Sequence, residues 1–256
     1  MELIDTHAHL DDRRFNKDRE EVIKRAGEQG VKTIVNIGAN LASSRQAVEI
    51  ARQWLNIWAV VGIHPHQARE VDSGVLRAIE RLAGDDRVLA IGEIGLDYHY
   101  DNSPRDIQRR VFRTQLRLAH KLELPVVIHS REAEEDTLQI MEEEDIAGLG
   151  GIMHCFPGGL EFAQRCIDMN LYLAFGGILT FGSADTARSV VEKMPLEYLL
   201  LETDCPYLTP HPHRGKRNEP AYVRLVAEKV AEIRGLQMEK VAEITSRNFW
   251  NLFTRR

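Results

Sequence analysis

The chain of 256 residues is 43% hydrophobic and 28% charged, and it carries a formal net charge of −6. This balance suits one globular domain over residues 1–256, since α/β barrels use about 250 residues as a single unit, and the negative charge argues against non-specific binding along a polyanion. Three cysteines without a CxxC spacing argue against a disulfide framework and a cysteine zinc finger, and they favour the reducing cytoplasm.

The N-terminal segment MELIDTHAHLDDRRF lacks the charged and then apolar stretches of a signal peptide. No run along the chain approaches the roughly 18 apolar residues that a membrane span needs. We therefore expect a soluble, cytoplasmic protein that does not bind membranes, and the sequence indicates no obligate protein partner.

Short apolar runs rich in β-branched residues alternate eight times with longer stretches of helical periodicity. The predicted strands cover residues 3–10, 31–39, 57–65, 88–96, 125–130, 150–156, 171–179 and 198–204. The clearest helix spans residues 103–123, behind a Ser-Pro start, and the C-terminal segment supplies two more helices. Eight strand–helix units favour a (β/α)8 TIM barrel with one extra C-terminal helix.

An open, doubly wound α/β sheet is the structural alternative. That fold would place a glycine-rich phosphate-binding turn after the first strand. The segment HAHLDDRRF, which follows the start of that strand, contains no glycine. The sequence therefore favours the barrel.

Polar residues occupy alternate positions near the C-terminal ends of the predicted strands, where the active sites of such barrels lie. In the first strand, Ile4, Ala8 and Leu10 share one parity and suit the helix layer. Asp5, His7 and His9 are then expected to face the barrel interior. The same parity pairs residues at other strand ends: His64 with His66, Glu93 with Asp97, His129 with Arg131, and Glu202 with Asp204, while His154 lies near the end of the sixth strand.

A single histidine in an apolar strand is more often a core imidazole bonded to the backbone than a metal ligand. Six of the ten histidines, together with several acids, are expected at one rim. Burying such groups without partners costs about 1–3 kcal/mol each. A metal ion is the simplest shared partner, because neutral imidazole and carboxylate bind Zn, Mn, Fe or Ni.

Several residues just beyond the strand ends are candidates for binding phosphate. Arg131 is predicted on the inward face of the fifth strand, and arginine can bind phosphate through two hydrogen bonds. His66 and Tyr98 lie just past the ends of their strands. Arg214 belongs to the loop HRGKRN, residues 213–218, for which a solvated charged turn is an equally good interpretation.

An ordered set of motifs resembles the TatD family of metal-dependent hydrolases, a branch of the amidohydrolase-like barrels. The motifs are DTHAHL, GIHPH, GEIGLDY, IHSR, HCF and ETDCPYL, and they extend over nearly the whole chain in family order. Several related amidohydrolases carry a modified lysine on the fourth strand. Here that strand reads AIGEIG without lysine, which favours the TatD branch.

This resemblance implies a site for two divalent metal ions. One ion is expected to bind His7, His9, Glu93 and Asp204, and the other to bind Glu93, His129 and His154. The residues expected to take part in catalysis are Asp204, Glu93, His64 and Glu202, with Asp204 as general base and with His64 and Glu202 supporting the site without binding metal directly. Imidazole-rich coordination favours Zn, Mn or Ni, whereas activity in the family is described with Mg, so the identity of the ions stays open.

The resemblance further implies a deoxyribonuclease that cleaves phosphodiester bonds from the 3′ end, with DNA strand ends or small phosphodiesters as substrates. One alternative is a hydrolase of a small ester, amide or phosphoester, or an aminoacyl-tRNA deacylase, on the same scaffold. Another is a non-catalytic binding protein. The intact set of six ligand positions argues against that last alternative.

Overall fold

A computed structural model describes residues 2–253; Met1 and residues 254–256, which the expected domain includes, lie outside the described residues. All eight predicted strands are present within them. Their bounds are β1 Leu3–Ala8, β2 Val31–Ile37, β3 Ile57–Val61, β4 Val88–Asp97, β5 Val126–Arg131, β6 Gly151–Met153, β7 Leu171–Phe175 and β8 Leu199–Leu201. The strands pair in parallel in the order of the sequence and form a nearly closed barrel, which confirms the predicted (β/α)8 fold.

Helices connect the strands on the outside of the barrel. Their bounds are α1 Arg19–Glu28, α2 Leu41–Gln53, α3 Ser73–Ala83, α4 Arg105–Leu122, α5 Glu134–Glu143, α6 Leu160–Asp168, α7 Asp185–Lys193, α8 Val223–Arg234 and α9 Met238–Phe253. The long predicted helix is α4, and α9 is the extra C-terminal helix. Between residues 2 and 253, no helix combines the length and apolarity that crossing a membrane requires.

The barrel closes between β8 and β1 through a single isolated bridge, which joins Ala8 to Cys205. Two backbone hydrogen bonds flank it: the amide of Asp204 donates to the carbonyl of His7 at 2.9 Å, and the amide of His9 donates to that of Cys205 at 2.8 Å. This seam therefore holds the two histidines of the first motif directly beside Asp204.

Side chains complete the seam where the backbone ladder is missing. The carboxylate of Asp5 accepts hydrogen bonds from the amide of Thr203 at 2.9 Å and from its hydroxyl at 2.6 Å. The hydroxyl of Thr6 donates to the carbonyl of Leu201 at 3.0 Å. These buried bonds fix the position of β1 relative to β8.

The barrel interior is packed by apolar residues from all eight strands, together with two residues of α9. This cluster consists of Ile4, Val35, Ile37, Val60, Leu89, Ala90, Val127, Ile152, Tyr172, Ala174, Leu200, Phe249 and Leu252. The prediction that Ile4 faces the helices with Ala8 and Leu10 is therefore wrong, although the latter two do pack with the helix layer. The register of β1 shifts between Asp5 and Ala8, so strict alternation fails within this strand.

Most of the predicted strands extend too far at their C-terminal ends. The strand β3 stops at Val61, and the backbone of Ile63 bonds to the side-chain amide of Gln115, at 2.8 and 3.0 Å. Gln108 bonds in the same way to the backbone of Asp97, at 2.8 and 3.1 Å. Both glutamines lie on α4, so this helix supports the loops that carry polar residues over the barrel mouth.

Candidate metal centre

Side chains from five strand ends converge above the barrel core. All six predicted ligands lie in this cluster, and each is buried or half-buried: His7, His9, Glu93, His129, His154 and Asp204. In the described part of the chain, three groups keep their donor atoms within 4.8 Å of one another: His7 with His9 and Asp204, His7 with His154 and Glu202, and His64 with Glu93 and His129. The cluster therefore offers enough nitrogen and oxygen donors for metal binding.

His7, His9 and Asp204 form the part of the cluster at the seam between β8 and β1. The Nε2 atoms of the two histidines are 3.3 Å apart. The Oδ1 atom of Asp204 lies 3.5 Å from Nε2 of His9 and 3.9 Å from Nε2 of His7. Ligands at about 2.0–2.1 Å from a tetrahedral Zn ion lie roughly 3.3–3.4 Å apart. The donor spacing fits a divalent cation among these three residues.

Hydrogen bonds on the outer ring nitrogens direct the inner ring nitrogens toward the centre. In His9, Nδ1 donates to the carbonyl of Ile37 at 3.0 Å, which turns Nε2 toward Asp204; a cation bound there would take the place of the Nε2 proton. In His154, Nδ1 lies 2.8 Å from Oε2 of Glu202, which leaves Nε2 facing the cluster. Hydrogen bonds of this kind orient imidazoles for metal binding.

Glu93 presents its two carboxylate oxygens to different imidazoles. Its Oε2 lies 3.5 Å from Nε2 of His7. Its Oε1 lies 3.0 Å from Nδ1 of His129 and 3.9 Å from Nε2 of His154. The two oxygens thus face the two predicted ligand groups, as a carboxylate that bridges two ions would.

The surroundings keep the acids of the cluster ionised. Burial raises the pKa of Glu93, but the adjacent imidazoles outweigh burial and hold this pKa well below its usual range. Burial also opposes ionisation of Asp204, yet the hydrogen bond from His9 and the nearby imidazoles lower its pKa. Ionised carboxylates are the form that binds a cation.

His64 is oriented as a hydrogen-bond donor to the cluster. Its Nδ1 accepts a hydrogen bond from the backbone amide of His66 at 3.1 Å, so the neutral ring carries its proton on Nε2. That nitrogen lies 3.6 Å from Oε1 of Glu93. Burial lowers the pKa of His64 well below its usual value, which keeps the ring neutral. In this state His64 directs an N–H toward Glu93 and offers no lone pair on Nε2.

Asp97 belongs to the cluster, although the sequence analysis gave it no role. Its Oδ2 lies 3.1 Å from Nε2 of His129 and 3.1 Å from Nε2 of His66. Burial raises the pKa of Asp97, but hydrogen bonding to these two imidazoles lowers it below the usual range. The carboxylate orients His129 so that Nδ1 faces Glu93. Its spacing of four residues from Glu93 on β4 is the sequence signal that points to it.

Two of the predicted phosphate-binding residues, Arg131 and His66, lie at the mouth beside the cluster. The guanidinium carbon of Arg131 lies 4.7 Å from the ring centroid of Tyr100, and within residues 2–253 this side chain has no ion pair. The ring of His66 lies 5.5 Å from that of Tyr100. Arg131 can therefore reach a ligand above the centre, whereas Nε2 of His66 is buried 3.1 Å from Oδ2 of Asp97.

The other two predicted phosphate-binding residues, Tyr98 and Arg214, are directed toward protein partners. The hydroxyl of Tyr98 donates to Asp136 at 2.5 Å, and burial together with this bond raises its pKa to about 12. Arg214 donates to the carbonyl of Thr209 at 3.0 Å and lies over the ring of Phe181. In the described chain neither side chain contacts a predicted metal ligand, so the structure does not bring these two residues into the cluster.

Glu202→Gln is expected to weaken metal binding without removing a ligand. The buried carboxylate accepts hydrogen bonds from Nδ1 of His154 at 2.8 Å and from the amide of Cys155 at 3.0 Å. A glutamine can accept only one of these bonds and presents a donor to the other. Metal affinity should fall about 10–100-fold, as for other partners of ligand histidines. Calorimetric titration of the metal-free protein with Zn or Mn measures the change.

The matched control is Glu132→Gln, which changes a carboxylate that is 64% exposed and bonds to His99. It should leave metal affinity unchanged. Excess metal should restore most activity to Glu202→Gln, because all six predicted ligands remain. Wild-type affinity in Glu202→Gln would contradict this positioning role.

Known proteins match the chain along almost its full length. The sequence model of the family TatD related DNase matches residues 4–254. The chain is 47% identical over 251 residues to the uncharacterized metal-dependent hydrolase YabD of Bacillus subtilis. It is 35% identical over 257 residues to the 3'-5' ssDNA/RNA exonuclease TatD of Salmonella typhimurium. Each alignment covers 98% of this chain and 98% of the relative. The crystal structure of YJJV, a TatD homolog from Escherichia coli K12, matches with a TM-score of 0.93 at 29% identity, covering 99% of this chain and 98% of that one. The chain therefore belongs to the TatD family of metal-dependent hydrolases.

Proposed function

We propose that this protein is a 3′-5′ exodeoxyribonuclease that uses two divalent metal ions. The observation that carries the proposal is the position of Glu93, whose two oxygens face two groups of imidazoles next to Asp204. The similarity to a protein named as a 3'-5' ssDNA/RNA exonuclease supports nucleic acid as the substrate. DNA strand ends are the proposed partner.

The proposed ligands divide into two sets that share Glu93. One ion is bound by His7, His9, Glu93 and Asp204, and the other by Glu93, His129 and His154. Four imidazoles and two carboxylates fit Zn, Mn or Ni better than Mg, which prefers oxygen ligands. Divalent ions in such a centre supply Lewis acidity and neutralise the charge of a phosphate.

Asp204 is the proposed general base. Its side chain is 15% exposed, whereas that of Glu93 is 5% exposed, so Asp204 is the cluster carboxylate that solvent reaches more easily. Its lowered pKa keeps the carboxylate ionised, which is the state that can accept a proton from the attacking water. His64 and Glu202 act through other residues: His64 holds Glu93, and Glu202 holds His154. Arg131 binds a phosphate of the substrate at the mouth.

A single-stranded 3′ end is expected to be the preferred substrate. The proposed ligands are buried or half-buried at the barrel mouth, and a net charge of −6 disfavours binding along a duplex. A blunt end must open before its terminal phosphodiester reaches these ligands, and each base-pair step costs about 1.4 kcal/mol, so its rate should be at least about tenfold lower.

The test loads the protein with Zn, Mn, Ni or Mg in turn and compares labelled DNA substrates. These are a 3′-tailed oligonucleotide, a blunt duplex and a closed circle. A panel of chromogenic esters and phosphoesters, run in parallel, tests for a small-molecule hydrolase. Equal rates on closed circular and tailed DNA would refute the exonuclease proposal, as would turnover of the chromogenic esters alone.

A further inference from the structure

Two exposed tyrosines lie on opposite sides of the barrel mouth. Among residues 2–253, four large hydrophobic side chains are strongly exposed, and Tyr100 at 55% and Tyr207 at 48% are two of them. Tyr100 follows β4 and Tyr207 follows β8. Because these strands are four places apart in a closed order of eight, the two rings lie across the mouth from each other.

Each tyrosine is anchored to an acid at the end of its strand. The amide of Tyr100 donates to Oδ1 of Asp97 at 2.8 Å. The amide of Tyr207 donates to the carbonyl of Asp204 at 2.9 Å, and its own carbonyl accepts a hydrogen bond from Asn218 at 2.6 Å. These bonds fix the backbone of each tyrosine beside the cluster.

Both rings lie next to histidines of the cluster. The ring centroid of Tyr207 is 6.2 Å from that of His9, at an interplanar angle of 77°. The centroid of Tyr100 is 5.5 Å from that of His66, at 87°. Both tyrosines stay about half exposed beside the cluster, so each ring keeps surface that a bound ligand can cover.

An arginine packs against each tyrosine. The guanidinium carbon of Arg131 lies 4.7 Å from the centroid of Tyr100, and that of Arg14 lies 4.3 Å from the centroid of Tyr207. Cation–π contact holds each planar cation against its ring. Arg14 also pairs with Asp12, at 2.9 Å. Each side of the mouth thus presents an aromatic surface and a cation together.

We propose that Tyr100 with Arg131 and Tyr207 with Arg14 form two nucleotide-binding positions, one on each side of the phosphodiester to be cut. An unpaired base stacks on each tyrosine, and the adjacent arginine contacts a neighbouring phosphate. The inference rests on the proposed nuclease function and specifies its substrate as a single strand laid across the mouth. Stacking accepts every base, since each has a π face, so little sequence preference is expected.

The first test measures binding of a fluorescent single-stranded oligonucleotide whose 3′-terminal linkages are phosphorothioates, which resist hydrolysis. Tyr100→Ala and Tyr207→Ala should each raise its Kd about tenfold, the usual loss on removing one base–aromatic stack. The phenylalanine variants keep the ring and should bind like wild type. The matched control is Leu55→Ala, which removes a side chain that is 91% exposed before β3, at the opposite end of the barrel, and should leave Kd unchanged.

A second measurement separates stacking from indirect disturbance of the site. Abasic positions are introduced one at a time near the 3′ end of the oligonucleotide. One such position should weaken wild-type binding about tenfold and have no further effect in Tyr207→Ala, and a second should do the same for Tyr100→Ala. The inference would be overturned if the loss of affinity caused by the abasic position and the loss caused by the alanine substitution added in full. An unchanged Kd in both alanine variants would also overturn it.

Cleavage of the unmodified oligonucleotide by wild-type protein is followed in parallel, so that the two proposals fail separately. Binding that depends on the tyrosines without any cleavage would refute the nuclease function and retain the two binding positions. Cleavage with no dependence on the tyrosines would retain the nuclease function and refute the positions.

Discussion

Glu93→Gln is expected to release both metal ions and to abolish hydrolysis. The carboxylate faces His7 through one oxygen and His129 through the other, so both proposed ions lose a charged ligand together. Removing a residue that hydrogen-bonds to a metal ligand already lowers metal affinity about 10–100-fold, and removing a ligand that both ions share should lower it further. The variant should stay inactive even with metal in excess.

Elemental analysis after dialysis, alongside activity, measures this effect. Wild-type protein should retain metal under the same conditions, and so should Glu132→Gln, which makes the same chemical change at an exposed site. Circular dichroism checks that the variant stays folded. A Glu93→Gln protein that holds two ions, or that hydrolyses at the wild-type rate, would rule out the bridging role.

Asp204→Asn is expected to lower kcat by about 10²–10⁴-fold, the usual contribution of a positioned general base, while metal is saturating. Asparagine cannot take up the proton of the attacking water, although its side-chain oxygen can still face His9. The expected pattern therefore differs from that of Glu202→Gln, whose activity excess metal should restore.

Steady-state kinetics across a metal titration tells these cases apart. Asp185→Asn is the matched control, because that carboxylate is 92% exposed on α7 and lies outside the cluster; its kcat should match wild type. An Asp204→Asn variant with wild-type kcat at metal saturation would exclude Asp204 as the base. If added metal restored kcat in Asp204→Asn, Asp204 would act as a metal ligand and not as the base.

The alternation of apolar runs and helical stretches is enough to predict the barrel, because each run supplies one buried strand. The strand ends are harder to predict. The apolar pattern of the third strand continues through Ile63, but its backbone there bonds to Gln115. A polar residue on the buried face of α4 has no signal in local periodicity, since its partner lies 52 residues away.

The candidate site could be predicted from strand ends and motif order, and the structure brings the six predicted ligands into one cluster. Parity alone was less reliable, because the register shift in β1 places Ile4 in the barrel interior. Asp97, Tyr100 and Tyr207 gained roles only from the structure. The spacing of Asp97 from Glu93 points to its position on the strand but not to its partners, His129 and His66, which come from the neighbouring strand ends. The places of Tyr100 and Tyr207 depend on which strands lie opposite one another, and a single sequence does not encode this in local spacing.

The bridge between Ala8 and Cys205 also determines when a newly made chain can become active. The proposed centre takes His7 from the first strand, His9 from just beyond its end, and Asp204 from the residues after the last strand. While the ribosome is still adding residues, the two histidines have emerged but their carboxylate partner has not been made. Hydrolytic activity should therefore arise only late in synthesis, after the final strand closes against the first.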